Sequence, residues 1–213
     1  MRLLLIRHAE SEGNAQGRLQ GRKEFPLSDR GVAQAAALAE RLAAVPIAAV
    51  YASPIRRALD TAAAVGSRLG LDIRTEPRFQ EYDFGDTLSG LTWLEIREQH
   101  PQIVSALVSG DSEFPRYPGE EGRGAFRARV CAAVCDITSR HGGGDTIAVV
   151  THAGPIVVYL LEALGRKYSR PVPFAIDNAS ITTVELSANA TPFQAPAVVT
   201  GINDTCHLAG HSP

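Results

Sequence analysis

Cysteine is scarce in this chain of 213 residues: Cys131, Cys135 and Cys206 are the only three. An odd count does not suit a disulfide framework, and a reducing compartment is the default for such a protein. A surplus of positive charge is also missing. Lys and Arg number 21 against 23 Asp and Glu, a formal net charge of -2. Nothing in that balance drives non-specific binding to nucleic acid or another polyanion. Any anion chemistry has to come from a few placed Arg and His side chains. Long apolar runs are missing too. The opening MRLLLIRHAE is apolar for only four residues before Arg7, too short for a signal peptide or a membrane span. No later segment is apolar for long enough either. These absences leave a soluble protein, expected in the cytoplasm, with neither nucleic acid nor membrane as a partner. No internal repeat, low-complexity tract or interdomain linker is evident.

What is present is ordinary globular composition, 45% hydrophobic and 21% charged. A chain of this length buries a sizeable core without staples, so residues 1–213 are read as one domain. Short apolar runs alternate with longer stretches of helical period. Residues 3–6 form a continuous apolar run, the mark of a strand buried on both faces. Ser28 caps a helix running to about residue 42. A strand follows over 47–52, then a helix capped by Ser53 with Pro54 at its first position, running to about residue 69. A short strand is placed at 71–75 and a loop at 76–91. Thr92 to Glu95 spells a capping box that opens a helix stopped before Pro101, and a second short helix covers 101–109. Residues 110–124, rich in Gly and Pro, read as a lid-like segment. A helix then runs to about residue 141 and ends at three glycines. A strand at 146–151, a helix at 155–164 and two strands at 180–186 and 197–202 complete the chain, the last two pairing with each other. The alternation predicts an α/β fold in three layers: a mostly parallel central sheet, helices on both faces and a small helical lid insertion over about 83–125.

Ligands of open α/β sheets bind outside the carboxyl ends of the strands. Arg7 and His8 follow the first strand, Arg57 lies one turn into the helix after the second, Glu81 follows the third, and His152 follows residues 146–151. Polar residues are common in loops, but five of these types at four strand ends form a pattern. At these residues the chain resembles the histidine phosphatase superfamily, the phosphoglycerate-mutase-like proteins. The blocks occur in order along nearly the whole chain: LIRHAES at 5–11, RLQG at 18–21, PLSDRG at 26–31, SPIRRA at 53–58 with Thr61-Ala62, EYDFG at 81–85 and VVTHAG at 149–154. The sequence departs from the family pattern at Ala9, where glycine is usual, and at Glu121, where serine often follows Gly-Glu.

The resemblance implies phosphoryl transfer, and the residue types suit it. An imidazole nitrogen can be the nucleophile if its other nitrogen is fixed; His8 matches that role. Arg7 and Arg57 offer planar forks for phosphate oxygens, and His152 a further hydrogen bond. Glu81 matches the acid that protonates the leaving alkoxide. Asn14 resembles an extra phosphate donor, and Ser11, Gln20 and Gly21 fall in the substrate-binding blocks. The stretch Arg18, Gln20, Arg22, Lys23 either lines the substrate mouth or is a solvated loop, and Trp93 is read as a core anchor of the lid.

No metal set and no cofactor are implied. Cys131 and Cys135 are four apart near His141, but on an alanine-rich amphipathic helix they read as small buried thiols. The tail, residues 203–213, contains NDTCHL, similar to a segment of the metal-independent phosphoserine phosphatases that lies near the substrate pocket. His207 is a substrate-binding candidate on that ground, against the alternative of a frayed end. The short span between Glu81 and His152, and the FGD…GLTW stretch from Phe84, resemble the phosphatase branch. The expected activity is metal-independent hydrolysis of a small phosphomonoester through a phosphohistidine, with L-phosphoserine the first named substrate. A phosphoglycerate mutase and a non-catalytic phosphate-binding module are the alternatives, and a homodimer is left open.

Overall fold

The computed structural model describes residues 1–108, 116–168, 172–187 and 197–209. β1 (Arg2–Arg7) lies inside a six-stranded sheet. β4 (Thr146–Thr151) pairs with it in parallel on one side and β5 (Ile181–Leu186) antiparallel on the other. β2 (Ile47–Ala52) and β3 (Ile73–Thr75) continue the parallel part beyond β4. β6 (Ala197–Asp204) pairs antiparallel with β5, as the sequence predicts, and closes the far edge. The order is β3-β2-β4-β1-β5-β6, a mostly parallel α/β sheet.

Successive strand residues point to opposite faces, and here they divide one sheet between two cores. Leu3, Leu5, Tyr51, Ile147 and Val149 pack under α7 (Arg123–Ser139) and α8 (Ala153–Ala163). Leu4, Ile6, Val50, Ala148 and Val150 pack under α2 (Asp29–Leu42) and α3 (Arg56–Leu69). That is why residues 3–6 are apolar without alternation. Each such buried aliphatic side chain contributes about 1.5–3 kcal/mol.

Local chemistry sets most element ends. The Ser28 hydroxyl accepts from the backbone N–H of Gly31 and opens α2. Gly31 has no alternative, because a Cβ there would strike the carbonyl oxygen of Glu10. Thr92 and Glu95 form the predicted capping box at the start of α5 (Trp93–Gln99). Where boundaries differ from expectation, three of the differences bear on the site or its neighbours. α3 begins at Arg56, with Ile55 at its cap, because the Ser53 hydroxyl bonds to His152. β3 begins only at Ile73, since Gly70, at φ 66°, and Leu71 close the end of α3. The loop predicted at 76–91 holds a short 3₁₀ turn, Pro77–Phe79, and α4 (Gly85–Leu88).

α4, α5 and α6 (Pro101–Val108) form the helical insertion, around a small core of Leu88, Ile96 and Ile103. Residues 109–115 of the expected lid lie outside the described residues. Trp93 does not anchor that core: at 53% exposure it stands at the first turn of α5, where Ile96 and Leu88 have already filled the interior. Among the described residues no helix is long and apolar enough to cross a membrane.

Candidate active site

The parallel strands end together, and their next residues meet. The backbone N–H of His8 donates to the Thr151 carbonyl at 2.8 Å, and that of Ser53 to Val150 at 2.9 Å, so each chain leaves the sheet in register. His8 and His152 thereby lie with ring centroids 5.1 Å apart. Thr61 joins α3 to this edge. Its hydroxyl accepts from the backbone N–H of Ala9 at 3.0 Å and donates to the Arg57 carbonyl at 2.7 Å.

His8 is buried and held at both nitrogens. Nδ1 lies 2.7 Å from the Ala9 carbonyl, which only an N–H can satisfy, so Nε2 carries the lone pair. Nε2 accepts from Nε of Arg57 at 3.1 Å. The Arg57 guanidinium is fixed further by the carbonyls of Lys23, at 2.8 Å, and Gly21, at 2.7 Å. Burial first, then the charges of Arg57 and Arg7, hold His8 well below the ordinary histidine pKa. Burial and Arg57 do the same to His152. Both rings are therefore neutral at neutral pH. Burial also lowers Arg7, and Arg57 to about 10, without discharging either.

Two buried donors complete the cationic side. Nη1 of Arg7 donates to the Ile176 carbonyl at 2.6 Å, whereas its Nε has no protein partner. His152 shares a hydrogen bond with Ser53 through Nε2, at 2.8 Å, and its Nδ1 is without one. A buried polar atom of this kind is costly unless something pairs with it. An anion among Arg7, Arg57 and the two histidines would do so.

Glu81 faces these cations. Its Oε1 accepts from the backbone N–H of Tyr82 at 2.8 Å and its Oε2 from that of Gly154 at 3.1 Å. A Cβ at Gly154 would overlap Oε1 of Glu81, so the glycine lets the carboxylate take this position. Arg129 fixes the chain that carries the carboxylate by donating to the carbonyls of Arg78, Gln80 and Glu81, at 2.6 to 2.9 Å. The Glu121 carboxylate holds Arg129 in turn and also pairs with Arg22 at 3.2 Å. Glu121 is thus the central acid of this brace.

A cavity of about 430 Å³ opens over the site, lined by Arg7, His8, Asn14, Gln20, Gly21, Arg57 and Glu81 among others. Arg18 also lines it, whereas Arg22 is drawn aside by Asp83 and Glu121. His152 is fully buried beside His8. Ser11 is buried beneath the floor, where it caps α1 (Glu12–Ala15) and donates to Gln20 at 2.7 Å. His207 is not brought to the site. The 3₁₀ turn Cys206–Leu208 packs on α2, and His207 lies beside Ala37, Glu40 and Arg68 on the outer face of the α2–α3 layer. The reason is Leu208, which seats against Ala9, Ala35 and Ala179 and draws the tail behind the sheet edge. Residues 210–213 are outside the described residues. Cys131 and Cys135 are half-buried on α7, and burial pushes the Cys131 thiol up to about 11.

Sequence reasoning missed Ser53, Thr61 and Gly154 as supports, although all three stand inside the motif blocks. It also missed Arg123, which lines the cavity with its guanidinium 3.3 Å over the Tyr168 ring. No spacing signals that pair, because it is made across the fold.

Buried cations and neutral imidazoles gathered at the carboxyl edge of a parallel sheet define an oxyanion-binding α/β protein. The family can be stated more closely: the model of the histidine phosphatase superfamily (branch 1) matches residues 3–197, and the chain belongs to that superfamily. It is 31% identical over 98% of its length to phosphoserine phosphatase 1 of Hydrogenobacter thermophilus, covering 94% of that protein. It is 35% identical to the metal-independent phosphoserine phosphatase of Arabidopsis thaliana, over 74% of this chain and 67% of that one. Glucosyl-3-phosphoglycerate phosphatase of Mycolicibacterium vanbaalenii is 33% identical over 84% of this chain and 81% of its own. Among solved structures, YhfR of Bacillus stearothermophilus superposes with a TM-score of 0.86 at 28% identity, over 97% and 98% of the two chains. Family and relatives together support a phosphatase.

Proposed function

We propose that the protein hydrolyses small phosphomonoesters without a metal, through a covalent phosphohistidine on His8. One observation carries the reading: a buried, neutral imidazole whose Nδ1 proton is tied to the Ala9 carbonyl and whose Nε2 lone pair meets Arg57. When phosphate enters, the Arg57 N–H moves from Nε2 to a phosphoryl oxygen and frees the lone pair. Nε2 attacks phosphorus as the ester oxygen leaves. Arg7, Arg57 and Asn14, with His152, stabilise the equatorial oxygens by charge and hydrogen bonds. Glu81, in its protonated form, gives the leaving oxygen its proton. Its carboxylate then takes a proton from water as that water attacks the phosphohistidine, returning His8 and releasing phosphate.

Rapid-quench labelling with a phosphorus-labelled substrate tests this. The wild type is expected to form an acid-labile, base-stable adduct that His8→Ala lacks, and EDTA is expected to leave turnover unchanged. An adduct on His8→Ala, or activity lost to EDTA and restored by magnesium or zinc, rejects the mechanism. A second reading, L-phosphoserine as the physiological substrate, is favoured by the names of two relatives. Its tail-based argument loses force with His207 on the outer face of α2.

A further inference from the structure

We propose that the alcohol carried by the substrate is apolar, an aryl or arylalkyl group, and that the cavity wall beyond the phosphate site selects for it. The proposal rests on the phosphatase reading above and concerns the same cavity. Beyond the cationic floor the wall is built from Leu19, Trp93, Phe126, Val157, Phe174 and Ile176. Its volume of about 430 Å³ lies in the range of small-molecule pockets, about 300–1,000 Å³. Trp93 leaves half of a large indole in water at the mouth. Covering that surface with an apolar group is favourable.

The one carboxylate of the wall points the same way. An amino-acid ester brings an ammonium that needs an acceptor. Among the described residues Glu81 is the only carboxylate lining the cavity, and both its oxygens already accept backbone N–H groups. Of the two cations of the rim, Arg18 is engaged as well. Arg18 donates to the Gly90 carbonyl at 2.7 Å and pairs with Glu95 at 3.5 Å. Arg123 lies 3.3 Å over the Tyr168 ring and adds that pair to the wall, while its buried Nε is without a hydrogen-bond partner.

The test compares kcat/KM for 2-phenylethyl phosphate, ethyl phosphate and L-phosphoserine on the full-length protein. These are primary alkyl esters, so the demand on the leaving-group acid is similar. The phenylethyl ester is expected to exceed ethyl phosphate by about tenfold or more, the scale on which an apolar pocket distinguishes small groups. L-Phosphoserine should fall at or below ethyl phosphate. Trp93→Ala should shrink the phenylethyl-to-ethyl ratio by about fivefold or more, and Phe174→Ala, from a different stretch of chain, should do the same. L-Phosphoserine matching the phenylethyl ester, or a ratio unmoved in both variants, overturns the proposal and leaves the phosphatase reading intact. If none of these esters nor p-nitrophenyl phosphate is hydrolysed, both are overturned.

Discussion

His8 and Glu81 are each held by backbone groups, and both constraints can be tested by single substitutions. Gly154→Ala drives a methyl group into Oε1 of Glu81 and has to displace the carboxylate or α8. A misplacement of about 1 Å costs on the order of 10²-fold in rate, so kcat/KM on an alkyl phosphate should fall by about that factor while the fold is kept. A variant with normal kinetics would mean that Glu81 is not needed where it stands. Glu81→Gln should slow single-turnover phosphorylation far more with an alkyl phosphate than with p-nitrophenyl phosphate, whose leaving group needs no proton. Equal losses would make Glu81 a positioning residue. The pH dependence follows from His8. Its pKa lies well below 6.5 because burial and Arg57 disfavour the charged ring. Its lone pair is thus available far into the acid range. With p-nitrophenyl phosphate, whose leaving group needs no proton from Glu81, the phosphorylation rate, corrected for substrate ionisation, should not fall from about pH 7 to about pH 5.5. A loss centred near the ordinary histidine value would contradict a buried neutral nucleophile.

At the scale of elements, helix starts were legible where the capping oxygen accepts from the backbone N–H three residues on, even while the hydroxyl donates elsewhere, as that of Ser28 does to Glu10. Ser28 and Thr92 cap as their sequences predict, and Ser28→Ala should cost about 1 kcal/mol in urea denaturation. Ser53 has the same local pattern and does not cap, because its hydroxyl meets His152 from another strand. Competition of that kind is invisible in a local window. The tail illustrates the same point. Its motif suggests a route to the rim, yet one apolar contact, Leu208 against Ala9, Ala35 and Ala179, holds it behind the edge. Deleting residues 205–213 should therefore lower thermal stability while KM for the best substrate stays unchanged. A raised KM with unaltered stability would restore a substrate role to His207.

The whole molecule buries two neutral histidines, and that makes its stability depend on acid. His8 and His152 have folded-state pKa values well below 6.5, whereas in the unfolded chain they titrate near about 6.5. Below that value the unfolded state binds more protons, so stability falls as pH drops. Each histidine contributes a slope of up to about 1.4 kcal/mol per pH unit. Urea midpoints should decline between about pH 6.5 and about pH 5, and His8→Gln should flatten that decline by removing one of the two groups. A midpoint that is level through this window would mean that the rings take up protons in the folded state.

By itself the sequence determined the layers and the addresses. Short continuous apolar runs bounded by turn signals read as strands covered on both faces, their alternation with amphipathic helices points to a mostly parallel sheet, and such a sheet sends the residue after each strand to one edge. Arg7, His8, Arg57, Glu81 and His152 could be placed together on that ground, with the family motifs in support. Only the tertiary structure decided how they are held and what lies beyond them. The tautomer of His8, the bond that draws Ser53 from its helix, the Arg129 brace behind Glu81, the outward seat of His207 and the apolar wall from Leu19 to Ile176 are all contacts between distant segments. Local periodicity carries no information about such contacts, because each depends on which side chain another element brings within hydrogen-bond or van der Waals reach.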